Sequence, residues 1–94
     1  MSRFVNVAIG QLGPIAKHEP RAQVVQRLSA LMLQAQQMGC DLIVYPELAL
    51  TTFFPRWPME RDSPELLGCF ETAMPNPRVQ TLFDRARALG VGFY

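Results

Sequence analysis

Glu47 is the residue of this 94-residue chain with the clearest chance of doing chemistry. It follows the apolar run Asp41-Leu42-Ile43-Val44-Tyr45 and then Pro46, which puts its carboxylate at the carboxyl edge of a strand, where α/β proteins build their sites. The flanking Leu48, Ala49 and Leu50 and the aromatic Phe53, Phe54 and Trp57 predict partial desolvation, which raises a carboxylate's pKa toward the range of a general base. The competing reading is a glutamate that accepts backbone N–H bonds and fixes its loop, and on position alone that is the commoner case.

A base needs a partner, and the other reactive side chains are poorly placed to serve. Cys40 enters the same strand seven residues earlier, which at about 3.3 Å per residue puts it on the order of 20 Å away. Cys69 falls on an apolar stripe beside Leu66 and Phe70, a setting that raises a thiol's pKa and favours packing over reactivity. Lys17, the only lysine, sits with His18 and Glu19 after the Gly13-Pro14 breaker and reads as a solvated charge cluster. Neither cysteine has the His/Cys company of a metal site, so no metal is expected at them. Thr51 is a candidate hydrogen-bond donor near Glu47. Phe53, Phe54 and Trp57 either line an apolar substrate pocket or fill a gap between layers.

The elements that position these residues follow from period and punctuation. Phe4 to Ile9 reads as a strand ended by Gly10. From Pro20 to Met38, Val24, Val25, Leu28, Leu31, Met32, Ala35 and Met38 recur at helical steps, predicting an amphipathic helix stopped by Gly39. Asp41 to Pro46 reads as a strand covered on both faces in a parallel sheet. Asp62-Ser63-Pro64-Glu65 predicts a short helix burying Leu66, Cys69, Phe70 and Ala73. Asn76-Pro77 starts a second long helix, with Val79, Leu82, Phe83, Ala86 and Leu89 facing inward and Gly90 as its stop. Val91 to Tyr94 begins a third strand. The β-α-β-α-α-β order argues for an α/β sheet with right-handed crossovers, and Pro46 to Pro64 is the one long irregular segment.

Composition narrows the classes. Apolar residues at 49% and charged ones at 18% are ordinary globular usage, which disfavours disorder and disulfide scaffolds. Net charge is +1 with arginines scattered among acids, leaving no basic stripe for nucleic acid. No apolar run is long enough to span a bilayer, and Met1 to Gly10 lacks a cleavable leader pattern, so a cytoplasmic protein with no membrane partner is expected.

Asp41 to Thr51 resembles the strand of the nitrilase superfamily of carbon-nitrogen hydrolases that ends in an aromatic-Pro-Glu signature. Thr51-Thr52-Phe53-Phe54-Pro55-Arg56-Trp57 resembles the N-carbamoyl-D-amino acid hydrolase branch, as do Gly10-Gln11-Leu12-Gly13-Pro14-Ile15 and Glu71-Thr72-Ala73-Met74-Pro75. The resemblance implies a four-layer α-β-β-α sandwich of which residues 1–94 form an incomplete N-terminal portion, ending in or after a strand. It also implies a Glu-Lys-Cys triad in which the glutamate takes the thiol proton and the cysteine forms an acyl intermediate. Only the glutamate carries over, onto Glu47, so the chain alone is expected to be inactive. A homo-oligomer is implied on the same grounds.

Three functions stay open. The first is a thiol-dependent amidohydrolase of N-carbamoyl amino acids, with nitrilase, amidase and ureidopropionase branches as close rivals. The second is an inert truncated polypeptide or interaction piece, whose uncovered sheet face predicts aggregation. The third, a nucleotide-binding module, ranks below both, because Gly10-Gln11-Leu12-Gly13 followed by Pro14 lacks a phosphate-cradling pattern.

Overall fold

A computed structural model describes residues 3–94; Met1 and Ser2, part of the stretch read for a leader, lie outside the described residues. The elements run β1 (Val7–Ile9), α1 (Arg21–Gln37), β2 (Leu42–Val44), α2 (Pro64–Leu67), α3 (Gln80–Leu89) and β3 (Gly92–Phe93), with a 3₁₀ turn at Phe54–Arg56. The fold is mixed α/β. One parallel sheet has the order β1-β2-β3, with Val7 opposite Leu42 and Ile9 opposite Val44, and Leu42 opposite Gly92.

The helices form where the periodicity places them. Val24, Val25, Leu28, Met32 and Ala35 of α1 are buried against Ile43, Tyr45, Val79, Leu82 and Val91, one apolar stripe closing on one sheet face. Tyr45 fits this core because its hydroxyl donates to the Leu28 carbonyl at 2.7 Å. Both long helices stop the same way. Gly39 (φ 79°) and Gly90 (φ 67°) are left-handed, and the next amides reach back five residues, Cys40 to the Ala35 carbonyl and Val91 to that of Ala86. A Cβ at either glycine would meet nothing, so conformation rather than space demands glycine there.

Three expectations change. The first strand pairs only from Val7, and Phe4 to Asn6 lie exposed ahead of it. The predicted short helix ends after one turn at Leu67, capped by the Ser63 hydroxyl, which accepts from the Leu66 amide at 3.2 Å. Cys69, Phe70 and Ala73 therefore fall beyond it and form no buried stripe: Phe70 and Ala73 are exposed, Leu66 and Cys69 half-buried. The sheet is not covered equally on both faces: in the central strand Ile43 is buried while Leu42 and Val44 are only half-buried. Side chains alternate along a strand, so Ala8 and Ile43 face the helices while Val7 and Ile9, 49% and 79% exposed, line the open side. Among the described residues no helix is long and apolar enough to cross a membrane.

Candidate active site

Beyond Val44 the chain stays in register with the third strand, the Tyr45 amide donating to the Tyr94 carbonyl at 2.7 Å. Pro46 has no N–H to continue the ladder, and a turn follows over residues 47–50. Glu47 opens that turn at the carboxyl edge of β2. Leu48 is left-handed, φ 54°, a conformation that costs a branched L-residue about 1–2 kcal/mol. Such backbone persists only where its surroundings over-determine it, and it clusters at functional sites.

That turn also explains why Glu47 is exposed where its sequence neighbours predict desolvation. Reversal at Leu48 sends Ala49 and Leu50 down onto the core, away from the carboxylate. Phe53 faces solvent at 61% exposure, and Phe54 packs edge-on against Phe70, ring centres 5.4 Å apart. Thr51 is half-buried, and its amide closes the turn onto the Leu48 carbonyl at 3.4 Å. A hollow of about 220 Å³ does adjoin the turn, bounded by Tyr45, Pro46, Leu50, Met74 and Phe93. Thr51, Phe53 and Phe54 are not among its walls.

The remaining reactive groups stand elsewhere. Cys40 is half-buried where the chain enters β2, at the opposite end of the strand from Glu47, and Cys69 directs its sulfur toward the Glu65 carbonyl at 3.6 Å. Lys17 is exposed, as a solvated charge would be, but its partners are not its chain neighbours. Its ammonium pairs with Glu65 at 3.2 Å and lies 5.0 Å from the centre of the Trp57 ring. Glu19 instead binds Arg27 at 2.8 Å, a hydrogen bond that holds its carboxyl below the usual range. His18 is exposed in a turn. Among the described residues no three His, Cys, Asp or Glu side chains gather as a metal site would require.

Beside the turn lies a polar network that the sequence pattern hides. Arg21, the first residue of α1, donates through Nη1 to the Leu50 carbonyl and through Nη2 to the Gly68 carbonyl at 3.1 Å. Its Nη2 also stands 2.8 Å from Glu71 Oε1, both side chains being little exposed, 12% and 11%. Glu71 is fixed in turn by Arg78 at 3.0 Å and Asn76 at 2.7 Å. Burial pushes the Arg21 guanidinium's pKa down, and the charge of Glu71 opposes that shift. Periodicity assigns Arg21 to the solvated side of α1. One signal points the other way: a cation in the first turn is opposed by the helix dipole, so something else must hold it there.

The sequence profile described as Carbon-nitrogen hydrolase matches residues 6–93, which takes in β1, the Glu47 turn, Arg21, Glu71 and β3. With nearly its whole length inside that match, the chain belongs to the carbon-nitrogen hydrolase family, in the nitrilase superfamily.

Proposed function

We propose that Glu47 is the general base of a thiol-dependent amidohydrolase that cleaves a non-peptide C–N bond, with an N-carbamoyl-D-amino acid as substrate and no metal or organic cofactor. The lysine and the nucleophilic cysteine of the triad come from outside these 94 residues. In the reaction the glutamate takes the thiol proton, the thiolate attacks the carbonyl carbon, and the lysine stabilises the tetrahedral oxyanion. The leaving nitrogen departs with a proton, and water hydrolyses the thioester. The observation that supports this reading is the place of Glu47, at the head of a strained turn on the carboxyl edge of the central strand. Thr51, Phe53 and Phe54 belong to the substrate side of the site in this reading, and the working protein is a cytoplasmic homo-oligomer.

A second reading, a catalytically inert polypeptide or an interaction piece, draws on where the other reactive groups are engaged: Cys40 at the far end of β2, Cys69 toward the Glu65 carbonyl and Lys17 with the Glu65 carboxylate. One assay separates them: ammonia release from N-carbamoyl-D-amino acids by the purified chain, alone and after mixing with a polypeptide that carries the lysine and cysteine portions of a family domain. Silence alone and turnover after mixing, with kcat falling about 100-fold or more in Glu47→Gln, is the expected result. Turnover undiminished in Glu47→Gln removes the glutamate from the mechanism, and silence in both mixtures favours the inert reading. Nitrilase and amidase branches are separated by offering a nitrile and a simple aliphatic amide in the same assay.

A further inference from the structure

We propose that Arg21 is a positioning residue for the Glu47 turn, its guanidinium tying the last carbonyl of that turn, at Leu50, to the rigid start of α1. The inference rests on the proposed role of Glu47.

Arg21 belongs to an element that cannot easily move, because α1 is packed into the core from Val24 to Ala35. Its side chain spans outward to two carbonyls that lie far along the chain, at Leu50 and Gly68. A planar guanidinium offers parallel N–H donors in a fixed fork, so the two carbonyls are set relative to one another as well as to the helix. The anion behind the fork is itself held, since Glu71 accepts from both Asn76 and Arg78. Arg21 therefore cannot swing away from Leu50 without breaking a little-exposed ion pair.

What this fixes is the backbone of residues 47–50. Leu48 is held left-handed against its own preference, and besides the long closure of the Thr51 amide onto the Leu48 carbonyl at 3.4 Å, two restraints among the described residues act on the turn's far end. One is the packing of Ala49 and Leu50 on the core. The other is the Arg21 bond to the Leu50 carbonyl. Apolar packing sets how deep the turn sits but is non-directional, whereas a hydrogen bond to one carbonyl sets its orientation. Glu47 opens the turn that this bond closes, so the direction of its carboxylate depends on Arg21 without any contact between the two side chains.

Lysine in place of arginine separates positioning from plain stabilisation. Arg21→Lys keeps a cation for Glu71 but presents a single ammonium that cannot span both carbonyls. Hydrogen–deuterium exchange of the full chain, followed by mass spectrometry, is the measurement. In Arg21→Lys the peptide covering residues 46–53 is expected to exchange at least tenfold faster, while peptides from α1 and β2 keep their rates and the melting temperature stays within a few degrees of the parent. Arg21→Ala is expected to show the same fast turn together with a lower melting temperature. Unchanged exchange at 46–53 in Arg21→Lys overturns the inference, and so does a uniform acceleration of every peptide. In the mixed assay of the proposed function, a positioning role lowers kcat in Arg21→Lys and leaves KM in place. Should Glu47→Gln turn over normally, the reading of Glu47 fails while the exchange result still decides whether Arg21 sets the turn.

Discussion

Between α1 and the sheet, Leu28, Met32 and Ile43 are each no more than 1% exposed, while across residues 46–76 Thr52 alone is buried. The first region is held by area removed from water, at about 25 cal/mol per Å². The second is held by directed bonds: Arg21 to two carbonyls, Glu71 to Arg78 and Asn76, Lys17 to Glu65. Each of these contributes only about 1 kcal/mol net, yet leaving one partner unmatched costs more than the bond was worth. The apolar layer thus sets whether the chain folds, and the polar segment sets how the Glu47 turn is presented.

The largest expected effect breaks the apolar side. Leu28→Ala opens a cavity beneath Tyr45 and should lower unfolding free energy by about 3–4 kcal/mol, measured by urea titration, with the whole chain melting as one unit. Glu71→Gln breaks the polar side. It leaves two guanidiniums facing each other without their carboxylate, a loss of about 2 kcal/mol after allowing for the half-exposed Arg78. Limited proteolysis should then cut within residues 58–76 well before the core is lost. Equal proteolysis across the chain would show that the two regions are not separable.

The same division explains what could be read from the sequence. The stripe Val24 to Ala35 and the stops at Gly39 and Gly90 were legible because they depend on neighbours within one or two helical turns. That β1, β2 and β3 run parallel in one sheet followed from the alternation of strands and helices. The failures share a cause. Leu66, Cys69 and Phe70 carry a helical spacing, but Gly68 and the short cap at Ser63 allow only one turn. The apolar residues after Glu47 suggested a covered carboxylate, and the reversal at Leu48 turned them elsewhere. Arg21 finds its partners 29 and 47 residues away, beyond any local pattern, and only its clash with the helix dipole marks it.

Tyr45 joins the two regions, since its ring lies in the core and the strand beyond it leads to Glu47. Burial pushes its phenol up to about 12. An acid whose pKa is raised on folding keeps its proton longer in the folded state, so the unfolded chain alone loses the proton as pH passes about 10. Stability is therefore intact below pH 10 and is lost as pH rises through 12, by about 2–3 kcal/mol in all. Denaturant midpoints measured from pH 8 to 12 should fall in the parent. They should fall far less in Tyr45→Phe, which gives up about 1 kcal/mol at neutral pH with the bond to the Leu28 carbonyl. A parallel decline in both chains would mean that another group dominates the alkaline loss.

The smallest effect tests whether the polar segment has any cooperative link to the core. Ser63 caps α2 by accepting from the Leu66 amide, and removing such a cap costs about 0.5–1 kcal/mol where the helix melts with the protein. A four-residue helix with no buried side chain has little reason to melt with it, because nothing in its first turn is carried into the core. Ser63→Ala should therefore leave the urea midpoint unchanged while raising amide exchange at Leu66 and Leu67 severalfold. A shift of the global midpoint by the full cost of the cap would instead tie α2 to the core, most directly through Glu65 and its ion pair with Lys17.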